Sequence, residues 1–245
     1  MRLENTARII SCVTHGVLLA ITFYDLVDKD GTRYSPYGWR VRMALAHKGL
    51  DAAVELCWHS NKEKLSFSGQ HLVPVLRDGG HVVSDSWKIA CYLDDAYPDR
   101  PLLMKGEQSR SFAKFINGWT DTIIGRLLVR SLYLDILRSL HPGADAVEFR
   151  KRREERNGAT LEALFANRAK DFEELNRELA PLNQLLRDQP FIAGATPAYP
   201  DYIVFGTLQM PRHLNGVDPL AASQDAVIRW REAMRGLFDG LVDRA

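Results

Sequence analysis

The sequence predicts a mixed four-stranded α/β domain followed by an all-α domain. Three observations carry this. Every strand-like run lies before Tyr97: Ile21–Leu26, Ala52–Trp58, Val73–Leu76 and Val82–Val83. The stretch between the first two runs is long enough, and patterned correctly, for a crossover helix. Beyond Gly106 apolar residues recur at intervals of three and four, and no convincing strand pattern appears.

Composition bounds the function classes. The chain has 245 residues, of which 46% are hydrophobic, enough for a sizeable core. Net charge is +1 with mixed signs along the chain, so nothing drives it generally toward nucleic acid or an anionic membrane. The three cysteines, Cys12, Cys57 and Cys91, form neither a disulfide framework nor a zinc pattern, and the histidines show no metal-ligand spacing. No metal and a reducing, cytoplasmic setting are expected.

Residues 1–20 read as a leader of unknown role. The apolar run within them is too short to span a membrane, and the signal-peptide features are poor. Ile-Thr-Phe-Tyr-Asp-Leu (21–26) is a first strand by its β-branched and aromatic content. Ser35 suits an N-cap and Pro36 the first helical position. Val41, Ala44 and Leu45 form an apolar stripe, and Gly49 is a natural C-terminal stop. Residues 52–58 are a second strand, with Val54 and Leu56 on one face. Residues 60–69 are a short helix or loop. Asp78-Gly79-Gly80 is a hairpin turn between two further strands. Ser86 is read as the N-cap of a helix carrying Ile89, Ala90, Leu93 and Tyr97. The crossover makes the first two strands parallel and right-handed, and the tight turn makes the last two antiparallel. This is the plan of a thioredoxin-like domain over residues 21–97.

Residues 98–106 break the helix and read as a linker. Residues 107–245 form the helical domain. Phe112, Phe115, Ile116, Trp119 and Ile123 line one long helix, with Gly118 and Gly125 as possible points of bending. A second helix begins near Ala144, and Asn157-Gly158 interrupts it. Helical periodicity then runs from Leu161 to Arg187, with Pro181 as a candidate kink. Pro200–Gly206 opens a strongly apolar, centrally buried helix, and Val227–Val242 is the last one.

One stretch suggests chemistry. Pro74 stands at the start of a strand, a place tolerated at an edge or bend. A cis Val73-Pro74 bond would leave the Val73 backbone free to pair with an extended peptide, and a helix start at Ser86 would attract a carboxylate. The same residues also fit a plain edge hairpin leading into a capped helix.

Ser35-Pro36-Tyr37-Gly38-Trp39-Arg40, Val73-Pro74-Val75, Asp85 to Asp94, Tyr97 to Pro101 and Phe191 to Asp201 stand in an order that resembles the glutathione S-transferase family. The bacterial β-etherase-like branch is the most similar in these segments. The resemblance implies a glutathione transferase that activates the bound thiol and adds it to a small aromatic or hydrophobic electrophile. Glutathione-dependent β-aryl ether cleavage, isomerisation, and a non-catalytic glutathione-binding protein remain open alternatives. Glutathione is the implied co-substrate, and a homodimer the implied assembly. Implied glutathione contacts are the Val73 backbone, Pro74, Asp85, Ser86 and, weakly, His71. Ser35 is the implied donor to the thiolate. Tyr37, Trp39, Ile116 and Trp119 are the implied substrate pocket. Two departures stand out: Leu72 occupies a place that is often polar or basic, and Ala198 lacks a capping side chain. The absence of Cys at position 35 favours conjugation or ether cleavage over thiol-disulfide exchange.

Overall fold

The computed structural model describes residues 21–59 and 62–244; the expected leader over 1–20 lies outside the described residues. Strand β1 (Ile21–Leu26) leads through a loop into α1 (Pro36–Lys48) and then β2 (Ala52–Cys57). A 3₁₀ turn over Lys62–Ser68 precedes the hairpin β3 (Val75–Asp78) and β4 (His81–Ser84), followed by α2 (Ser86–Ala96). The sheet order is β2-β1-β3-β4. β1 runs parallel to β2, with Ile21 opposite Ala52, and antiparallel to β3, which is antiparallel to β4. The expected parallel pairing of the first two strands and antiparallel pairing of the last two therefore hold.

The remaining described residues form no extended strand. They form α3 (Gly106–Trp119), a π turn over Thr120–Ile124, α4 (Gly125–Ser131), α5 (Tyr133–Ser139) and α6 (Ala144–Asn157). Then come α7 (Leu161–Ala166), α8 (Arg168–Glu178), α9 (Ala180–Asp188), α10 (Tyr199–Leu208), α11 (Met210–Leu214) and α12 (Asp225–Arg235).

Several expectations change in detail. The long helix through Ile123 is interrupted by the π turn, closed by the Gly125 N–H on Thr120 O. A Cβ at Gly125 would stand 3.0 Å from that carbonyl, so the wide turn favours glycine. Phe112 and Phe115 are exposed rather than part of a buried stripe. The helical run from Leu161 to Arg187 is three helices, with Pro181 in the first turn of α9, where a missing N–H costs nothing. The last helix ends at Arg235, and Phe238 and Asp239 take left-handed backbone conformations.

The apolar helix expected near Pro200 is α10, and all ten of its residues are buried. Asp201 fixes its start. The carboxylate accepts the N–H groups of Ile192 (2.7 Å), Ala193 (3.2 Å) and Ala198 (3.0 Å), and the Trp230 indole N–H (2.9 Å). Burial pushes this carboxyl up, against the pull of those donors. Asp201 thus ties down the Ala198 N–H although Ala198 itself has nothing to give back.

α10 lies unusually close to α1. A Cβ on Gly206 would fall 2.6 Å from Pro36 O and 3.3 Å from Trp39 Cβ. A second tie joins α1, α2 and the segment after α2. Buried Lys48 donates to Asp94 (3.0 Å) and Tyr97 O (2.9 Å), and Asp94 also accepts the N–H groups of Leu103 and Met104, both at 2.9 Å. Each buried charge is met by several partners, which offsets the desolvation that makes isolated buried ion pairs costly.

Gly206→Ala is expected to destabilise the protein by about 1–3 kcal/mol, because the added methyl meets backbone that cannot yield. Thermal unfolding of the variant checks this, and a melting temperature equal to that of the parent would refute the close-approach account.

Candidate active site

Ser35 caps α1. It sits in extended conformation, and its Oγ accepts the Gly38 N–H at 3.3 Å while Pro36 fills the first helical position. It is 6% exposed. Its hydroxyl proton has no acceptor among the described residues, so one oxygen serves as cap and retains a donor. The loop delivering Ser35 is pinned on both sides. The Trp39 indole donates to Arg33 O at 3.0 Å, and the Tyr34 hydroxyl lies 2.9 Å from His59 Nε2.

Beneath this turn lies Asp25, on β1 and 1% exposed. Its Oδ1 would stand 2.1 Å from a Cβ at Gly38, so the first turn of α1 rests directly on the carboxyl. Burial raises its pKa to about 6, against Arg42 at 3.7 Å and Arg33 at 3.6 Å, which pull it down.

The second half of the site is the β3 approach and the α2 start. The Val73-Pro74 peptide bond is cis. No hydrogen bond among the described residues uses the Val73 N–H or C=O, while Pro74 O accepts the Asp85 N–H at 3.3 Å. The N-cap of α2 is Asp85, not Ser86 as the pattern suggested. Asp85 takes φ 80°, and its carboxylate accepts the N–H groups of Trp87 and Lys88, both at 3.1 Å. Ser86 is the first helical residue, and its carbonyl accepts the Tyr199 hydroxyl at 2.7 Å. The signal for Asp85 was present: Asp is as good a cap as Ser, and its carboxylate suits a helix start. Its left-handed backbone, rare outside glycine, was not foreseeable.

The other expected residues divide. Tyr37 is 41% exposed beside Ser35, with the Arg40 guanidinium 4.7 Å from its ring centre. Trp39 and Ile116 are buried, and Trp39 stacks on His213 at 5.2 Å, so both act as core in this conformation and not as pocket surface. Trp119 is partly buried against the core. His71 is exposed and makes no side-chain hydrogen bond or ion pair among the described residues.

Three features of the site escaped the sequence reading. Gln70 shapes the loop before Val73 by receiving the Leu72 N–H (2.7 Å) and donating to Leu72 O (2.6 Å). Buried Arg40 reaches from α1 to Asp121 (2.7 Å), Asn117 (3.3 Å) and Thr207 (3.3 Å). Tyr199 braces α2 from the helical half. The Gln70 contacts are local, but the Arg40 and Tyr199 contacts join residues far apart in the chain, and local pattern carries no trace of those.

A capped helix start beside the cis Val73-Pro74 bond, on a thioredoxin-like sheet packed against a helical bundle, defines a glutathione-transferase type of architecture. Family models agree: the one described as glutathione S-transferase, N-terminal domain, matches residues 34–96. The one described as glutathione S-transferase, C-terminal domain, matches residues 111–234, just over half of the chain. The chain belongs to the glutathione S-transferase family. A curated relative, glutathione S-transferase 1 of Dianthus caryophyllus, is 42% identical over 82 residues, 31% of this chain and 37% of that protein. The match thus spans well under half of that relative's length. A Ceriporiopsis subvermispora glutathione S-transferase, solved in complex with glutathione, superposes with TM-score 0.74 at 24% identity, covering 90% of this chain and 96% of the other. The β-etherase LigF of Sphingobium sp. strain SYK-6 superposes with TM-score 0.65 at 16% identity, over 92% and 100% of the two chains. Both structural likenesses are likenesses of fold.

The Asp25 site has a pH signature. Between its ordinary value of 3.8 and about 6 the folded chain holds the Asp25 proton more tightly than the unfolded chain does. Folding therefore takes up a proton there, and this group's contribution to stability falls as pH rises through that window, by about 3 kcal/mol in all. Denaturant titrations of parent and Asp25→Asn from pH 4 to pH 7 are expected to show the variant gaining on the parent as pH rises. A constant difference would rule out the buried titration.

Proposed function

We propose that this protein is a glutathione transferase whose thiolate is stabilised by the Ser35 hydroxyl and the first turn of α1. The carrying observation is the arrangement of Ser35, whose Oγ accepts from the helix at 3.3 Å yet keeps its proton for a further partner. Glutathione lies extended beside Val73, exchanging main-chain hydrogen bonds with the Val73 N–H and C=O, unpaired among the described residues, just before the cis bond to Pro74. Its γ-glutamyl carboxylate meets the start of α2 at Ser86, and its ammonium meets the exposed Asp85. His71 is left as a peripheral contact.

A free thiol titrates near 8.5, so bringing it to about 6.5 needs roughly 2.7 kcal/mol of preference for the thiolate. One hydrogen bond to a charged sulfur supplies about 1.5–3 kcal/mol and the helix end about 0.3–1 kcal/mol. The thiolate then adds to a small aromatic or hydrophobic electrophile, a detoxifying conjugation, with Tyr37 at the mouth of the electrophile pocket and Trp119 toward its rear. Trp39 and Ile116 support that pocket from below.

The same reading divides the chain into a glutathione-binding domain over 21–97, a linker over 98–106 and a helical domain over 107–245. The placement of the two family matches supports that division. It takes the protein as a homodimer, supported by Phe112 and Phe115 on α3, which are 40% and 68% exposed. It assigns a cytoplasmic location, supported by the free thiols of Cys57 and Cys91. No described helix is long and apolar enough to cross a membrane.

Ser35→Ala tests the reading. It is expected to lower kcat/KM for conjugation of 1-chloro-2,4-dinitrobenzene by about 10- to 150-fold, the loss of one hydrogen bond to a charged group. The apparent thiol pKa, read from thiolate absorbance of the binary complex, is expected to rise, while glutathione affinity at low pH stays near the parent value. An unaltered thiol pKa would remove Ser35 from the mechanism.

A further inference from the structure

α6 is densely charged, and its charges are mostly spent on one another. Arg150 pairs with Glu154 and Glu162, Lys151 with Glu155, and Arg152 with Glu148. Arg153 and Arg156 have no side-chain hydrogen bond or ion pair among the described residues. They follow Phe149 at intervals of four and three, which sets all three on one side of the helix.

That side faces the candidate active site. Phe149 is buried and packs edge-on to Tyr133 (6.1 Å) and His59 (5.9 Å). His59 in turn meets the hydroxyl of Tyr34, the residue before Ser35. The Arg153 guanidinium carbon stands 5.2 Å from the ring centres of both Tyr133 and Phe149, and its Nε is enclosed without a partner. The field of Arg153 reaches Tyr34, and that of Arg156 reaches Tyr37 in the first turn of α1. Arg40, the cation of α1 nearest this region, is already consumed by Asp121, Asn117 and Thr207.

Two aromatic faces hold the Arg153 guanidinium in place and offset part of its desolvation. They accept none of its N–H donors, which remain in the planar fork that fits a carboxylate. We propose that Arg153 determines specificity for the electrophile, selecting one that carries a carboxylate on its aromatic or unsaturated body. This rests on the transferase reading and names the substrate class within it. The electrophile's carboxylate binds Arg153, which buried Tyr133 and Phe149 hold from behind, and its electrophilic carbon points at the thiolate beside Ser35. Arg156 adds a longer-range attraction at the rim.

The reaction used as probe is aromatic substitution. The glutathione thiolate attacks the chlorine-bearing carbon of 4-chloro-3-nitrobenzoate, a C–S bond forms, the C–Cl bond breaks, and chloride leaves with the electron pair. The thiol proton goes to solvent when the thiolate forms. The neutral control is 4-chloro-3-nitrobenzamide, of nearly the same shape. Binding of the two products, S-(4-carboxy-2-nitrophenyl)glutathione and its 4-carbamoyl counterpart, is measured by calorimetry, so the test does not depend on turnover.

The parent is expected to bind the carboxy product about tenfold more tightly than the carbamoyl product, the worth of one modest charge-assisted contact. Arg153→Met, or Arg153→Gln should the first fold poorly, is expected to bring that ratio to about one, and Arg153→Lys to restore part of it. A merely structural arginine would lower both affinities together and leave the ratio alone. The inference is overturned if the parent shows no preference while still binding glutathione, or if the preference survives in the Met or Gln variant. If glutathione itself fails to bind, the transferase reading falls and takes the inference with it.

Discussion

The close seat of α10 against the sheet domain is the constraint on which the rest depends. One buried helix touches both halves of the site: Gly206 lets it approach the Pro36 carbonyl where α1 begins, and Tyr199 holds the Ser86 carbonyl where α2 begins. Two helix starts from distant parts of the chain are thereby fixed relative to each other. On the proposed transferase reading, a peptide held at one end with its sulfur oriented at the other needs that separation held steady, since small displacements of reacting groups cost large factors in rate. α10 has no freedom to drift, because its first turn hangs from a buried carboxylate with four donors.

The chemistry that the proposed function asks of Ser35 is modest, and its surroundings suit it. A hydroxyl that is already the acceptor of the Gly38 N–H has its remaining proton directed elsewhere. On that reading the helix behind it supplies favourable polarity to the sulfur without a formal charge in contact with it. The neighbouring charges are held at a distance or neutralised. Arg40 is tied to Asp121, and Asp25 lies beneath the turn between two arginines. Arg153 departs from this economy, being a cation on the inner side of α6 whose company is aromatic and not acidic.

Much of the sheet domain was legible from local chemistry. Ser35-Pro36 marks a helix start because a capping oxygen and a residue lacking an N–H both suit unpaired donors there, and α1 begins where those rules place it. Asp78-Gly79-Gly80 reads as a tight turn because glycine tolerates its backbone, and β3 and β4 pair across it. The cap of α2 was misplaced by one residue, because Asp85 and Ser86 satisfy the same rule and only the backbone path decides between them. In the helical half, α10 stood out by its unbroken apolarity. Gly125 marked the break at the π turn, but the breaks at Asn167 and Gly236 did not stand out, because propensity varies too little along such helices to locate an interruption set by packing.

By itself, then, the chain's sequence determined the kinds of elements, their order, and the residue types that could cap a helix or hold an extended peptide. These follow from forces acting within a few residues: sterics at proline and glycine, unpaired backbone groups, and the period of apolar side chains. Only the tertiary structure decided which side chains meet. It turned Trp39 and Ile116 into core, joined Tyr199 to Ser86 across more than a hundred residues, and set Arg153 beside two rings with no ion pair among the described residues. Those outcomes depend on burial and on contacts between distant segments, which become fixed when the helices close on the sheet.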